Sequence, residues 1–166
     1  MSFKIKNVEA ILAIDSNNGL AKDGKIPWKS KIDMKFFKNK TINNVIVMGS
    51  KTLLSLPKSE PLNDRINIVV TNDHNKYLNN YSKYDNLWFV NGKNVINILK
   101  HCYKDKTIFI IGGSQIYNLL LPYCSTIWLT RIKKNYDCDL FFNCDITELK
   151  KKVEYEDDEL QITQLN

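Results

Sequence analysis

Asp33 is the only acidic residue between Gly24 and Thr41, in the stretch GKIPWKSKIDMKFFKNKT. It stands among lysines and beside Met34, Phe36 and Phe37. On a helix, Asp33 and Phe37 are i and i+4, and Met34 and Phe37 are i and i+3, so the carboxylate borders an apolar stripe. That position admits two readings. An Asp in a helix's first turn is favoured by the helix dipole and can be an ordinary, partly exposed group. A carboxylate in the wall of an apolar pocket is desolvated, its pKa rises, and it becomes useful for proton chemistry. The preceding loop, GLAKDGKIPW, is long, rich in Gly and Lys, and ends at Pro27-Trp28. A flexible loop beside a pocket carboxylate suits a lid.

Two glycine-bearing edges suit phosphate. FIIGGSQIY (109–117) reads as a buried strand, two glycines and a helix start. Glycines let backbone approach a ligand closely, and a helix N-terminus attracts anions through its free N–H groups. VIVMGSKT (45–52) repeats the theme with Gly49 followed by Ser, Lys and Thr. Neither spacing fits the Rossmann fingerprint or the phosphate-binding loop of nucleotide hydrolases. Each, alone, is also a tight strand–helix junction. Together they suggest a ligand lying across the carboxyl end of a sheet.

The elements that must position these residues alternate in type. Residues 8–14 read as a strand, 15–28 as loop, and 30–40 as a helix with Ser30 as candidate N-cap. Residues 44–49 read as strand, 50–56 as a helix broken by Pro57, 65–71 as strand and 72–85 as polar loop. Strand 86–90, helix 93–103, strand 107–113, helix 114–123 and strand 126–132 follow, with ELQITQL (159–165) a late antiparallel strand. Strands 45–48, 66–70 and 107–111 are apolar on both faces, which fits a sheet covered by helices on both sides. The expected fold is α/β: a single domain over 1–166, with a central, mostly parallel twisted sheet, antiparallel C-terminal strand and helices on both faces.

Composition narrows the class. The chain has 166 residues, 43% hydrophobic and 25% charged, enough for one globular core. No run of about 18 apolar residues exists, so no membrane span is expected. The N-terminal MSFKIKNVEAILAID reads as a first strand rather than a signal peptide, because its apolar run is short and contains Glu9. The net charge of +6 is spread along the chain rather than gathered with aromatics, which argues for a basic surface and against a nucleic-acid partner. Cys102, Cys124, Cys138 and Cys144 form no Cys-x-x-Cys pair, and His74 and His101 show no ligand spacing. No metal is expected, and reduced thiols in a cytoplasmic protein are. No exposed heptad or large apolar face is identifiable, so a monomer is the default.

Taken together, AILAIDSNNGLAKDGKIPW, the helix with Asp33 and Phe37, VIVMGSKT, PLNDRINIVVT, IFIIGGSQIY, IWLTRI and DCDLFF resemble the dihydrofolate reductase family, in the family's order over residues 8–142. The resemblance implies reduction of 7,8-dihydrofolate by NADPH, with no metal. It implies that Asp33 hydrogen-bonds the pterin and raises the basicity of N5, which water protonates. Thr130 matches the threonine supporting that carboxylate, and Trp28 the tryptophan holding a nearby water. Ile11, Met34, Phe37, Leu56 and Leu62 would line the pterin and benzoyl slot with Ile111 and Tyr117, the latter near the nicotinamide. Arg65 would pair with the α-carboxylate of the glutamate tail. Ala13 and Leu20 would offer backbone groups to the nicotinamide carboxamide. Gly49, Ser50, Lys51 and Thr52, with Gly113, Ser114 and Gln115, would receive phosphates; Thr71, Asn72, Gly112 and Ile116 complete the cofactor edge. Gly112-Gly113 matches a peptide that is cis in the family.

There are departures. Ser50, Asn72 and Gln115 stand where basic residues are common, which weakens the expected preference for NADPH over NADH. Leu53 replaces a frequent tryptophan, Ala21 a frequent glycine and Asn143 a frequent proline; a trimmed final hairpin is expected from the short C-terminus. Two other readings compete. The reductase domain of riboflavin synthesis shares this fold but does not need Asp33, Phe37 and Arg65 together. A non-catalytic folate-, nucleotide- or RNA-binding protein would be marked by loss of the acid or of the glycine pair, and both are present.

Overall fold

The computed structural model describes residues 3–166; Met1 and Ser2 of the N-terminal reading lie outside the described residues. In chain order the elements are β1 (Ile5–Ile14), β2 (Gly19–Ala21), α1 (Lys31–Thr41), β3 (Val45–Gly49), α2 (Ser50–Ser55), β4 (Ile66–Val70), α3 (Asn75–Tyr81), β5 (Leu87–Val90), α4 (Val95–His101), β6 (Ile108–Gly112), α5 (Ser114–Leu120), β7 (Cys124–Ile132), β8 (Leu140–Phe141), β9 (Lys151–Glu156) and β10 (Leu160–Leu165). One eight-stranded sheet runs β5-β4-β3-β6-β1-β7-β10-β9. Strands β5 to β7 pair in parallel, and β10 is antiparallel to both β7 and β9.

Strand period places the core on both faces of this sheet. Val8, Ala10, Leu12 and Ile14 of β1, Val45 and Val47 of β3, and Ile108 and Ile110 of β6 pack with α4 and α5 through Val95, Leu99 and Leu120. The intervening Ile11, Ile46, Met48, Val69 and Phe109 pack on the other side with Leu53 of α2 and Tyr77 and Tyr81 of α3. Side chains alternate across a strand, so only strands apolar at every position can feed two cores. The expected α/β class and sheet thus hold.

Three elements differ from the sequence reading. Residues 72–85 contain α3: its sequence is polar, but Tyr77 and Tyr81 are buried and Tyr77 stacks on Phe89 at 5.7 Å. Two aromatics four apart were enough to dock a short helix. The final hairpin is not trimmed; β9 pairs with β10 from Lys151–Leu165 to Glu156–Gln161. The loop after β1 is not wholly irregular, because β2 pairs with β8.

The chain between α2 and β4 carries Leu62 and Arg65 and is tied down by a fully buried Asn67. Its Nδ2 donates to the carbonyls of Leu62 (3.0 Å) and Arg65 (3.1 Å), and its Oδ1 accepts from Leu62 N–H at 3.0 Å. Asn67→Ala should cost about 1–3 kcal/mol, because it leaves buried backbone groups unpaired. Urea denaturation measures this; a loss indistinguishable from zero would mean that the loop does not depend on Asn67.

Candidate functional site

The sheet's carboxyl edge gathers the residues singled out above. Thr130, near the end of β7, lies opposite Ala13 of β1, and Ile11 lies opposite Trp128. Ser30 caps α1 by accepting from the Asp33 N–H at 3.1 Å, which fixes where the first turn begins. Asp33 is half-buried in that turn. Burial pushes its pKa up from the ordinary value, and a hydrogen bond from the Thr130 side chain opposes the rise. The outcome is a carboxylate whose proton is easier to keep than in water.

Ile11, Phe37, Leu56, Leu62 and Ile111 fall in a single apolar cluster with Phe36 on the same side of the sheet. Met34, the next residue along α1, is 67% exposed and lies outside that cluster. Trp28 is buried in a neighbouring cluster with Ala13, Phe36 and Tyr136, its ring 5.6 Å from that of Tyr136. At the far end, a cavity of about 330 Å³ is lined by Lys38, Pro57, Leu62 and Arg65 among others. Arg65 is half-buried; its Nε donates to the Asn63 carbonyl (2.8 Å) and its Nη1 to Thr41 Oγ1 (3.1 Å). Thr41 is fully buried and donates in turn to the Phe37 carbonyl at 2.8 Å.

The two glycine edges are adjacent. A Cβ on Gly113 would lie 3.6 Å from Thr52 Oγ1, and one on Gly49 would lie 3.2 Å from Ile116. The Gly112-Gly113 peptide is cis, as expected. Gly112 has φ +116, and a Cβ there would meet the Tyr117 ring at 3.2–3.3 Å. Tyr117 itself is buried, and its hydroxyl donates to the Ile11 carbonyl at 3.1 Å, so it braces the cleft from behind. A larger cavity, about 360 Å³, lies on that rear side and meets the site only at Tyr117. Ser50, Thr52, Ser114 and Thr71 are half-buried along the edge; Lys51, Asn72 and Gln115 are exposed. Asn72 Oδ1 accepts from Gly92 N–H (3.2 Å), and Thr71 Oγ1 from Asp73 N–H (3.1 Å). Leu20 is half-buried on β2 against the α4–α5 core.

The sequence reading missed Thr41 and Asp15. Thr41 carried no motif; only its place one turn beyond Phe37, and opposite Arg65, gives it a role. Asp15 did leave a signal, because Asp-Ser-Asn-Asn-Gly after a strand is turn chemistry.

A small α/β oxidoreductase is the class this arrangement fits: two glycine edges at the sheet's carboxyl end, beside apolar side chains and one carboxylate. The dihydrofolate reductase family model matches residues 7–164, and the chain belongs to that family. It is 32% identical over 135 residues to a dihydrofolate reductase of Staphylococcus haemolyticus, covering 81% of this chain and 75% of that one. It is 31% identical to the bifunctional dihydrofolate reductase-thymidylate synthase of Daucus carota, over 82% of this chain but 28% of that protein's length. Among solved structures it resembles dihydrofolate reductase from Enterococcus faecalis complexed with NADP(H) and RAB-propyl, with TM-score 0.80 and 25% identity, over 100% of this chain and 98% of that one.

The raised pKa of Asp33 has a consequence for stability. The folded state keeps this proton at pH values where the unfolded chain, titrating near 3.8, has lost it. The resulting stabilisation is present at low pH and is lost as pH rises from there through the folded pKa. Asp33→Asn should therefore raise Tm at about pH 7, with the gain shrinking toward about pH 3. Thermal melts across that range check this; a lower Tm at neutral pH would show that the ionised carboxylate is net stabilising.

Proposed function

We propose that this chain, as one domain over 1–166, reduces 7,8-dihydrofolate to 5,6,7,8-tetrahydrofolate with NADPH, supplying one-carbon units for thymidylate and purine synthesis. The observation that carries the reading is Asp33: a half-buried carboxylate with a raised pKa, beside apolar walls and held by Thr130. Ionised, it accepts from the pterin's exocyclic amino group and N3. The negative charge draws positive charge into the ring and raises the basicity of N5, which a water beside Trp28 protonates. Ile11, Phe37, Leu56, Leu62 and Ile111 exclude bulk water from the ring, which strengthens that interaction. Arg65, already oriented by Thr41 and Asn63, offers its remaining donors to the α-carboxylate of the substrate's tail.

The cofactor edge suits a dinucleotide because it is glycine-lined: Gly49 and Gly112 stand where a side chain would crowd Ile116 or Tyr117, and Gly113 follows them at the start of α5. Gly49 to Thr52 and Gly113 to Gln115 would hold its phosphates, Thr71 and Asn72 its adenosine end, and Ala13 and Leu20 its carboxamide. When bound, NADPH supplies the hydride, from nicotinamide C4 to pterin C6. Lys51 is the cation left at this edge where Ser50, Asn72 and Gln115 carry none. No helix among the described residues is long and apolar enough to cross a membrane. A monomer in the cytoplasm, needing no nucleic acid, completes the reading, and its four free cysteines suit a reducing compartment.

The test is oxidation of NADPH, and separately of NADH, on addition of dihydrofolate. Turnover should favour NADPH, and Asp33→Asn should lower kcat by roughly 10²–10⁴-fold, with partial recovery at low pH. Absence of oxidation with either cofactor, despite folate binding, would overturn the reading in favour of a non-catalytic folate protein.

Thr41→Val deletes the hydroxyl and keeps the shape. It should raise the dihydrofolate KM several-fold with kcat unchanged, in the direction of Arg65→Ala but by less, on the order of 1 kcal/mol of binding. An unaltered KM in steady-state kinetics would detach Thr41 from Arg65.

A further inference from the structure

A cation, two aromatic rings and an anion meet where α1 ends, away from the glycine edges. The Lys40 ammonium lies over the face of Trp128, 3.6 Å from the ring centroid. Phe36 packs edge-on against the same indole, with centroids 5.8 Å apart and the rings at 63°. The indole N–H donates to the Glu9 carboxylate at 2.7 Å. Among the described residues the ion pairs are Lys133–Glu156 and Lys152–Glu154, so Lys40 and Glu9 form no direct pair with any opposite charge. Their attraction runs through the ring. The negative face of the indole takes the cation, and its positive edge takes the anion. A stack of this kind is weak when exposed and stronger when desolvated, and here Lys40 and Glu9 are half-buried and Trp128 is buried.

Trp128 is a fixed platform. It lies within β7, opposite Ile11 of β1 on one side and Gln164 of β10 on the other. The last turn of α1 has few other attachments. Lys38 and Asn39 are exposed, and Thr41 is the one fully buried residue of the helix. The Thr41 hydroxyl donates to Phe37 of its own helix and accepts from Arg65, so it does not tie the turn to the sheet. Asp33, Phe36 and Lys40 are i, i+3 and i+7, which puts them along one side of the helix. Thr130 and Trp128 are two apart on β7 and share a face. Helix α1 thus meets β7 near both ends, and Lys40 is the contact beside Thr41. On the reductase reading, we infer that Lys40 is a positioning residue for the substrate's tail: stacked on Trp128, it pins the last turn of α1 so that Thr41 presents its hydroxyl to Arg65.

Lys40→Met removes the charge and keeps an unbranched side chain. It should raise the dihydrofolate KM about 3–5-fold and leave kcat within about 2-fold, because Asp33 keeps its own cap at the other end of the helix. Lys40→Arg should keep KM within about 2-fold of the unsubstituted protein, since a guanidinium also stacks on an indole. In an Arg65→Ala background, Lys40→Met should change KM by less than about 1.5-fold, because residues that act through one another are not additive. Equilibrium dialysis of dihydrofolate should give the same factors in Kd without turnover. A KM and Kd unchanged by Lys40→Met, with only Tm lowered, would reduce the stack to a structural contact and overturn the proposal. So would equal effects of Lys40→Met and Lys40→Arg, or the same rise with and without Arg65. Unsubstituted protein that binds dihydrofolate but oxidises no NADPH fails the reductase reading alone, and the dialysis arm still decides on Lys40. Unsubstituted protein that binds no dihydrofolate overturns both.

Discussion

The register of β1 between β6 and β7 is the constraint on which the site depends. That one strand feeds both apolar cores, and its final residues set the positions of everything at the sheet's carboxyl edge. Ala13 opposite Thr130 places the hydroxyl that lowers the pKa of Asp33 against burial. Ile11 supplies a wall with its side chain and a carbonyl to Tyr117 with its backbone. A slip of one residue would exchange the two faces of the strand and turn core residues into the slot. The strand is therefore specified far more strongly than any loop it supports.

Asp33 and Asp15 show how burial and hydrogen bonding divide the labour between two carboxylates. Asp33 has one side-chain donor, and desolvation wins: its pKa is raised. Asp15 accepts from three backbone N–H groups, which outweigh burial, and its pKa is lowered. The first is poised to respond to a cationic ligand, whose charge would compensate what water no longer does. The second is already compensated by the protein and so serves structure.

Much of this was legible from residue order. The wholly apolar strands, the Ser30 cap, the glycine pair and the Asp33–Phe37 spacing each express a local rule, and local rules survive folding. What was not legible depended on long-range partners. Helix α3 has a polar sequence, and its two buried tyrosines find their partner in Phe89 of β5. The β2–β8 pair joins segments about 120 residues apart, and no pattern within either announces it. Thr41 and Asn67 act through backbone carbonyls and a guanidinium brought near by the fold, which residue type alone does not reveal.

Helix α1 carries Asp33 in its first turn and Thr41 in its last position. Eight residues at 1.5 Å each separate them by about 12 Å along the axis. Because Thr41 accepts from Arg65, one helix spaces the Asp33 carboxylate from the Arg65 guanidinium, the groups that on the proposed reading take the substrate's ring and its tail. The helix is thus a ruler. A molecule satisfies both ends only if its own ring-to-carboxylate span matches, so discrimination by length is built into a single element, and shorter ring systems forfeit one end whichever way they slide.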